Sequence, residues 1–216
     1  MHIMEGFLPP AWAGLWFLIS LPAIAYGAVK SKKLVENNPR NRALLAVAGG
    51  FIFVLSSLKI PSPVTGSTSH PTGTGIATIL FGPAVTAFLS SIVLLYQTLL
   101  LAHGGLTTLG ANTASMGFIG PLAGWGVYRI LKDRLSLKAT VFIVAVVADW
   151  FTYVITSVQI ALAFPGESFV KSALTFMGIF ALTQIPVAVV EGIFAALLMG
   201  YIANLWEDRV SQEVTA

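Results

Sequence analysis

The chain is a succession of apolar runs separated by short polar or basic breaks. The first run covers residues 12–29 and is entered through Pro9-Pro10. A second covers 43–58. The stretch 73–128 is too long for one crossing, since about 20 apolar residues span a bilayer. Gly82-Pro83 interrupts it, because proline cannot continue a helix across its missing N–H. Three runs result: a short one at 75–81, then 84–102 and 112–128. The last two runs, 139–163 and 173–206, flank a Pro165-Gly166-Glu167 turn. The final run is long for one span and contains Pro186, so it is predicted to kink there and to tilt or overrun the bilayer. The pattern predicts an all-α polytopic bundle of about seven membrane helices in one domain, 1–216.

Charge placement orients the bundle. Lys30, Lys32, Lys33, Arg40 and Arg42 lie between the first two runs, against the single acid Glu36. Arg129, Lys132, Arg134 and Lys138 lie between the fifth and sixth. Both segments are predicted to be cytoplasmic by the excess of basic residues in inner loops. That places residues 1–10 outside and the charged tail 207–216 inside. An unbroken helix through Gly82 would put one basic segment outside, so that reading is rejected.

Composition agrees with the pattern. Hydrophobic residues make up 56% and charged residues 10%, with mean hydropathy +0.84. Soluble domains carry about 25% charged residues. The net charge of +3 resides in the short breaks and does not point to nucleic acid. There is no cysteine, so disulfides and thiolate metal sites are excluded. The N-terminus lacks the basic region of a signal peptide, and Glu5 precedes the first apolar run.

The chemistry centres on three histidines. The chain opens Met1-His2, and a histidine in second place can turn a free terminus into a chelate. The α-amine, the His2 amide nitrogen and the His2 imidazole bind one ion in fused, coplanar rings. Such an all-nitrogen plane, completed by one more imidazole, suits a late transition metal. A histidine at position 2 also fits a frayed end. His70 lies in the polar run 65–75, whose hydroxyls are expected to fix its tautomer from outside the ligand shell. The topology puts His2, His70 and His103 on one membrane face, although it was built without them. His103 opens a second polar segment, 103–112, as a ligand, a supporting group or a helix terminator. Asp149 and Glu191 lie within apolar runs. Acids there are costly and are either functional or paired. Gln97, Gln159 and Gln184 are the candidate partners. Small residues on the first and last runs (Gly14, Gly27, Gly200 and neighbouring alanines) allow close helix packing. No hydrolase motif, nucleotide loop or carboxylate-rich signature is present, so the chain is expected not to be an enzyme.

Several segments together resemble the CbiM/NikM family. They are Met1-His-Ile-Met-Glu-Gly-Phe-Leu-Pro9, Phe51-Ile-Phe-Val-Leu-Ser-Ser-Leu-Lys-Ile-Pro61, Ser69-His-Pro-Thr-Gly73, Ala102-His-Gly-Gly-Leu-Thr-Thr-Leu-Gly-Ala-Asn112 and Phe176-Met-Gly-Ile-Phe-Ala-Leu-Thr-Gln-Ile-Pro186. The resemblance covers nearly the whole chain. It implies the substrate-binding component of an energy-coupling-factor importer for Co2+ or Ni2+, in the cytoplasmic membrane of a prokaryote. Implied partners are a CbiQ-type coupling protein, a CbiO-type ATPase and a small CbiN-type subunit. It further implies metal ligation by Met1, His2 and His70. His103, Ser69, Thr72, Asn112 and Glu5 become candidates for the surroundings or the ion's path. The start and the Leu106–Asn112 segment resemble the cobalt branch, whereas planar nitrogen donors suit nickel(II) well. The alternative is a secondary metal transporter using Asp149 and Glu191 as a proton relay; a membrane enzyme with a histidine-bound metal is weaker.

Overall fold

The structure, a computed structural model, describes residues 1–61 and 67–215, with the side chains of 205–215 excepted. Residues 65 and 66 of the polar run, and the charged side chains of the tail, lie outside the described part.

Helices build the molecule. α1 (Pro10–Asn37) starts on Pro10, where a missing N–H costs nothing. It runs past the expected end at 29, so Lys30, Lys32 and Lys33 ride on its last turns rather than in a loop. α2 (Asn41–Ser57) follows after a short turn. α3 (Thr74–Phe81) and α4 (Pro83–Leu101) are separated at Gly82, as the Gly-Pro pair predicts. Gly82 has φ +81° and ψ 165°, a positive-φ conformation that a side chain would resist and that turns the chain between them. The expected fifth run is one rod in three parts: α5 (Leu109–Asn112), a π-helical segment (Thr113–Ile119) and α6 (Gly120–Leu131). Wider π turns inside helices concentrate at functional sites. α7 (Leu137–Ala163) is capped by Ser136, whose hydroxyl accepts the Ala139 N–H. α8 (Phe169–Thr215) keeps Pro186 in its interior.

Among the described residues, four helices are long and apolar enough to cross a membrane: α1, α4, α7 and the 169–204 part of α8. α2 is shorter and apolar. Bulky side chains point outward without cover, among them Leu18, Val47 and Leu182, about 70% exposed. An aqueous surface would not hold so many, whereas lipid does. α7 packs along both α8 and α6, and α1 packs along α4. Gly75 lets α3 meet α7, since a Cβ there would stand 2.7 Å from the Ala145 Cα. Gly110 does the same for α5 and α1, with the Phe17 backbone 2.5 Å from where a Cβ would be.

The polar run contains strand as well as loop. A small antiparallel sheet has the order β1-β3-β2, from β1 (His2–Ile3), β2 (Ile60–Pro61) and β3 (Ser67–Ser69). His2 pairs with Thr68, and Ile60 with Ser69. The sheet lays the N-terminus across the polar run and buries it at one end of the bundle. Met1, His2 and Ile3 are fully buried. Beneath them lies an apolar cluster that includes Leu8, Trp16, Ala111, Ile160 and Phe180. The terminus is therefore an internal element and not a frayed end.

Candidate metal centre

The N-terminal strand is held by backbone contacts that do not depend on its side chains. Asn112 reaches from α5 to accept the Ile3 N–H at 2.7 Å and to donate to the Ile3 carbonyl at 3.0 Å. The Thr108 hydroxyl donates to the same carbonyl at 2.8 Å, and Ser67 donates to the His2 carbonyl at 3.0 Å. At the exposed rim, Glu5 accepts the Thr107 hydroxyl at 2.6 Å and its N–H at 3.2 Å. That hydroxyl holds the Glu5 carboxyl below its ordinary pKa. Gly105 is obligatory beside it, because a Cβ there would collide with Glu5.

His2 Nδ1 faces His70 Nε2 in direct contact. These are the atoms a shared ion needs. Nδ1 of His2 is the ring nitrogen that closes a chelate with its own amide nitrogen. His70 Nδ1 donates to the Pro71 carbonyl at 2.7 Å, which leaves the Nε2 lone pair free. The hydroxyls of the polar run do not set this tautomer, contrary to expectation. Ser69 bonds Thr183 on α8, and Thr72 bonds Glu191. His103, also buried, completes a cluster whose three ligand atoms lie within 4.8 Å of one another.

Electrostatics keep these donors uncharged. Burial pulls the Met1 α-ammonium from 8.0 down to about 5, against the opposing pull of the Asp149 and Glu191 carboxylates. Burial, then the neighbouring histidines, depresses His2 well below 6.5. His70 is depressed by burial, then by the terminal amine and His103. Burial takes His103 to about 4. At neutral pH the amine and all three imidazoles therefore offer lone pairs to a cation.

Two acids lie directly behind this cluster. Gln184 donates to Asp149 at 2.5 Å and to the His70 carbonyl at 2.9 Å. Of the three candidate glutamines it alone meets an acid; Gln97 and Gln159 donate to the carbonyls of Phe53 and Ala111. Glu191 accepts the N–H groups of Thr72 and Gly73, at 2.5 and 2.8 Å, and the Thr72 hydroxyl at 3.0 Å. Sequence reasoning missed this anchoring of the His70 segment to α8. Its signal is faint: Gln184 and Glu191 stand two helical turns apart on one face. Thr107, Thr108 and Ser67 were missed as well, because isolated hydroxyls in polar segments carry no periodicity.

The expected site residues thus divide by place. Met1, His2, His70 and His103 are brought together. Asn112 holds the strand that carries two of them, and Ser69 and Thr72 hold the His70 segment to α8. Glu5 fastens the outer rim and touches none of the imidazoles.

Comparison with known proteins agrees with this picture. Residues 2–208 match the CbiM family, described as the cobalt uptake substrate-specific transmembrane region. A CbiM protein of Archaeoglobus fulgidus is 57% identical over 212 residues, covering 96% of this chain and 97% of its own. A cobalt transport protein CbiM of Carboxydothermus hydrogenoformans is 54% identical over 215 residues, covering 97% and 88%. A crystal structure of a truncated transition metal transporter superposes with a TM-score of 0.80 at 26% identity, covering 94% of this chain and 99% of that one. With apolar helices to cross a bilayer and an enclosed nitrogen cluster at one end of the bundle, this chain belongs to the CbiM family of cobalt uptake membrane proteins.

Proposed function

We propose that the chain captures a divalent transition metal, Co2+ or Ni2+, on the outer face of the membrane and passes it inward. It does so as the substrate-binding component of an energy-coupling-factor importer. The observation that carries the reading is the contact of His2 Nδ1 with His70 Nε2 beside a buried, uncharged α-amine. The four donors are the Met1 amine, the His2 amide nitrogen, His2 Nδ1 and His70 Nε2. The amide binds only after losing its proton, so affinity falls in acid. Tetrahedral zinc is disfavoured by a set whose first three donors are coplanar.

The orientation follows the basic residues: N-terminus outside, C-terminus inside, with seven membrane helices in one domain. The chain has no nucleotide motif, so a CbiO-type ATPase would supply energy through a CbiQ-type protein, with a CbiN-type subunit beside them. The relay alternative loses support from Glu191, whose carboxylate accepts two backbone N–H groups of the His70 segment.

The test uses the terminus itself. Met1 is fully buried, so nothing can be added to its amine without expulsion. Acetylating the α-amine is expected to abolish cobalt and nickel binding by the purified chain. Undiminished binding after acetylation would refute the chelate.

A further inference from the structure

His103 has no role in a four-donor plane, yet the fold goes to some length to place it. Its helix, α4, ends on Ala102 at φ +47°, the one non-glycine residue at positive φ among those described. That conformation costs about 1–2 kcal/mol at an L-residue. It reverses the chain, brings the His103 N–H back to the Gln97 carbonyl and turns the imidazole inward. The ring is only 2% exposed. Its centroid lies 4.2 Å from that of His2, at 45°, and 5.1 Å from that of His70, at 85°.

One of its nitrogens is accounted for. Nε2 sits 3.0 Å from the Thr68 hydroxyl, next to the strand register that seats His2. Nδ1 is buried and has no hydrogen-bond partner among the described residues. Buried polar atoms are rarely left so. With Nε2–H donating to Thr68, Nδ1 carries a free lone pair. An apical nitrogen is cis to every donor of the plane and stands about 2.8 Å from each, from metal–nitrogen bonds of about 2 Å. The ligand atoms of the three histidines already lie within 4.8 Å of one another, so an ion would draw them together by no more than about 2 Å.

We propose that His103 gives the bound ion a fifth, apical nitrogen, and that this imidazole sets the preference between cobalt(II) and nickel(II). The proposal rests on the planar site of Met1, His2 and His70. The chemistry is that of the orbital perpendicular to the plane. Low-spin nickel(II), d8, fills it, so an apical lone pair is repelled. Low-spin cobalt(II), d7, leaves it half empty and accepts the donor. An apical imidazole therefore adds a bond to cobalt and none to nickel.

The test is electron paramagnetic resonance of the full-length chain loaded with Co2+, alongside Co2+ and Ni2+ affinities. An apical 14N splits each parallel cobalt line into a triplet. The wild-type chain is expected to show it, and labelling with 15N-histidine should turn triplets into doublets. His103→Ala should lose the splitting and weaken cobalt about tenfold, the lower end of what losing a group around a metal costs. Its nickel affinity should move less than about twofold, a result that also shows the variant is folded. Added imidazole should restore the triplet. Splitting that survives His103→Ala, or an unsplit wild-type spectrum, would overturn the apical ligand while leaving the plane intact. Equal weakening of both metals would overturn it too, since a group that merely positions His2 acts on both. Should His2→Ala bind cobalt with an unchanged spectrum, the plane itself fails and the apical ligand with it. If His103→Ala does not fold, the isotope-labelled wild type decides.

Discussion

Asn112→Ala is the sharpest probe of whether the terminus is held by the bundle. In the wild type the Asn112 amide satisfies both backbone groups of Ile3, at 2.7 and 3.0 Å. The substitution orphans the Ile3 N–H in a fully buried strand, which costs about 1–3 kcal/mol. It also removes one of two donors to the Ile3 carbonyl, worth about 0.5–1.5 kcal/mol. The Thr108 hydroxyl remains on that carbonyl, which limits the second loss. The sum, about 1.5–4.5 kcal/mol, falls on docking of the segment that carries the amine, the amide and His2. At about 1.4 kcal/mol per decade, metal affinity should drop by about 10- to 1,600-fold. A water entering the space left by the side chain would bring the effect to the lower end. Asn112→Leu fills that space with apolar atoms and should give the larger loss. The assay is calorimetric titration of cobalt in competition with a chelator, with thermal unfolding as the control for folding. Both variants binding within about twofold of wild type, while folded, would refute the claim that α5 holds the site.

Other outcomes follow from the same geometry. Without metal, docking of the terminus should weaken as pH falls. The amine titrates at 8.0 when undocked and at about 5 when docked, so between these values the undocked form binds more protons. The shift of about three units corresponds to roughly 4 kcal/mol, present in full above pH 8 and lost towards pH 5. Hydrogen exchange at the Ile3 amide reads it, and protection that stays flat across this range would contradict it. Glu191→Gln puts an amide against the Thr72 and Gly73 N–H groups. It should lower metal affinity by more than about tenfold, each donor lost from a carboxylate being worth about 1.5–3 kcal/mol. Intact binding with transport abolished would instead favour a proton relay. Gly110→Ala forces a methyl into the Phe17 backbone, and chain separation should cost about 1–3 kcal/mol in thermal unfolding. A wild-type midpoint would mean that α1 and α5 do not pack this closely.

The apolar architecture was legible because periodicity and length carry it. The Gly82-Pro83 break was expected from backbone chemistry alone, and the structure ends α3 and begins α4 there. The positions of His2 and His70 on one face came from counting crossings between basic segments. What did not show in the sequence was made by partners remote along the chain. β3 reads as polar loop, since Ser67, Thr68 and Ser69 become a strand only when His2 and Ile60 pair with it. The reach of α1 past residue 29 was missed because lysines read as loop, although their long stems ride well on a helix end. Asp149 and Glu191 were seen as costly, but nothing local said that the donors to Glu191 would be backbone groups of the histidine segment. Asn112 was quoted as part of a motif, yet only the fold shows that it grips the third residue of the chain.

That grip changes what binding must accomplish. His2 hangs from a strand fastened to α5 by Asn112 and Thr108, whereas His70 lies in a segment fastened to α8 by Gln184 and Glu191. The imidazoles meet where these two anchorages meet. An ion joining them ties α5 to α8 through a bond set stronger than any hydrogen bond present. Capture therefore needs little rearrangement, because the donors are already uncharged and facing. Release requires the opposite: α8 and α5 must separate at this end, or the terminal strand must leave its three-stranded sheet. Neither path starts from the ion. Each starts from a helix or strand displaced by something outside the site, and under the proposed function that displacement is the step a partner would drive.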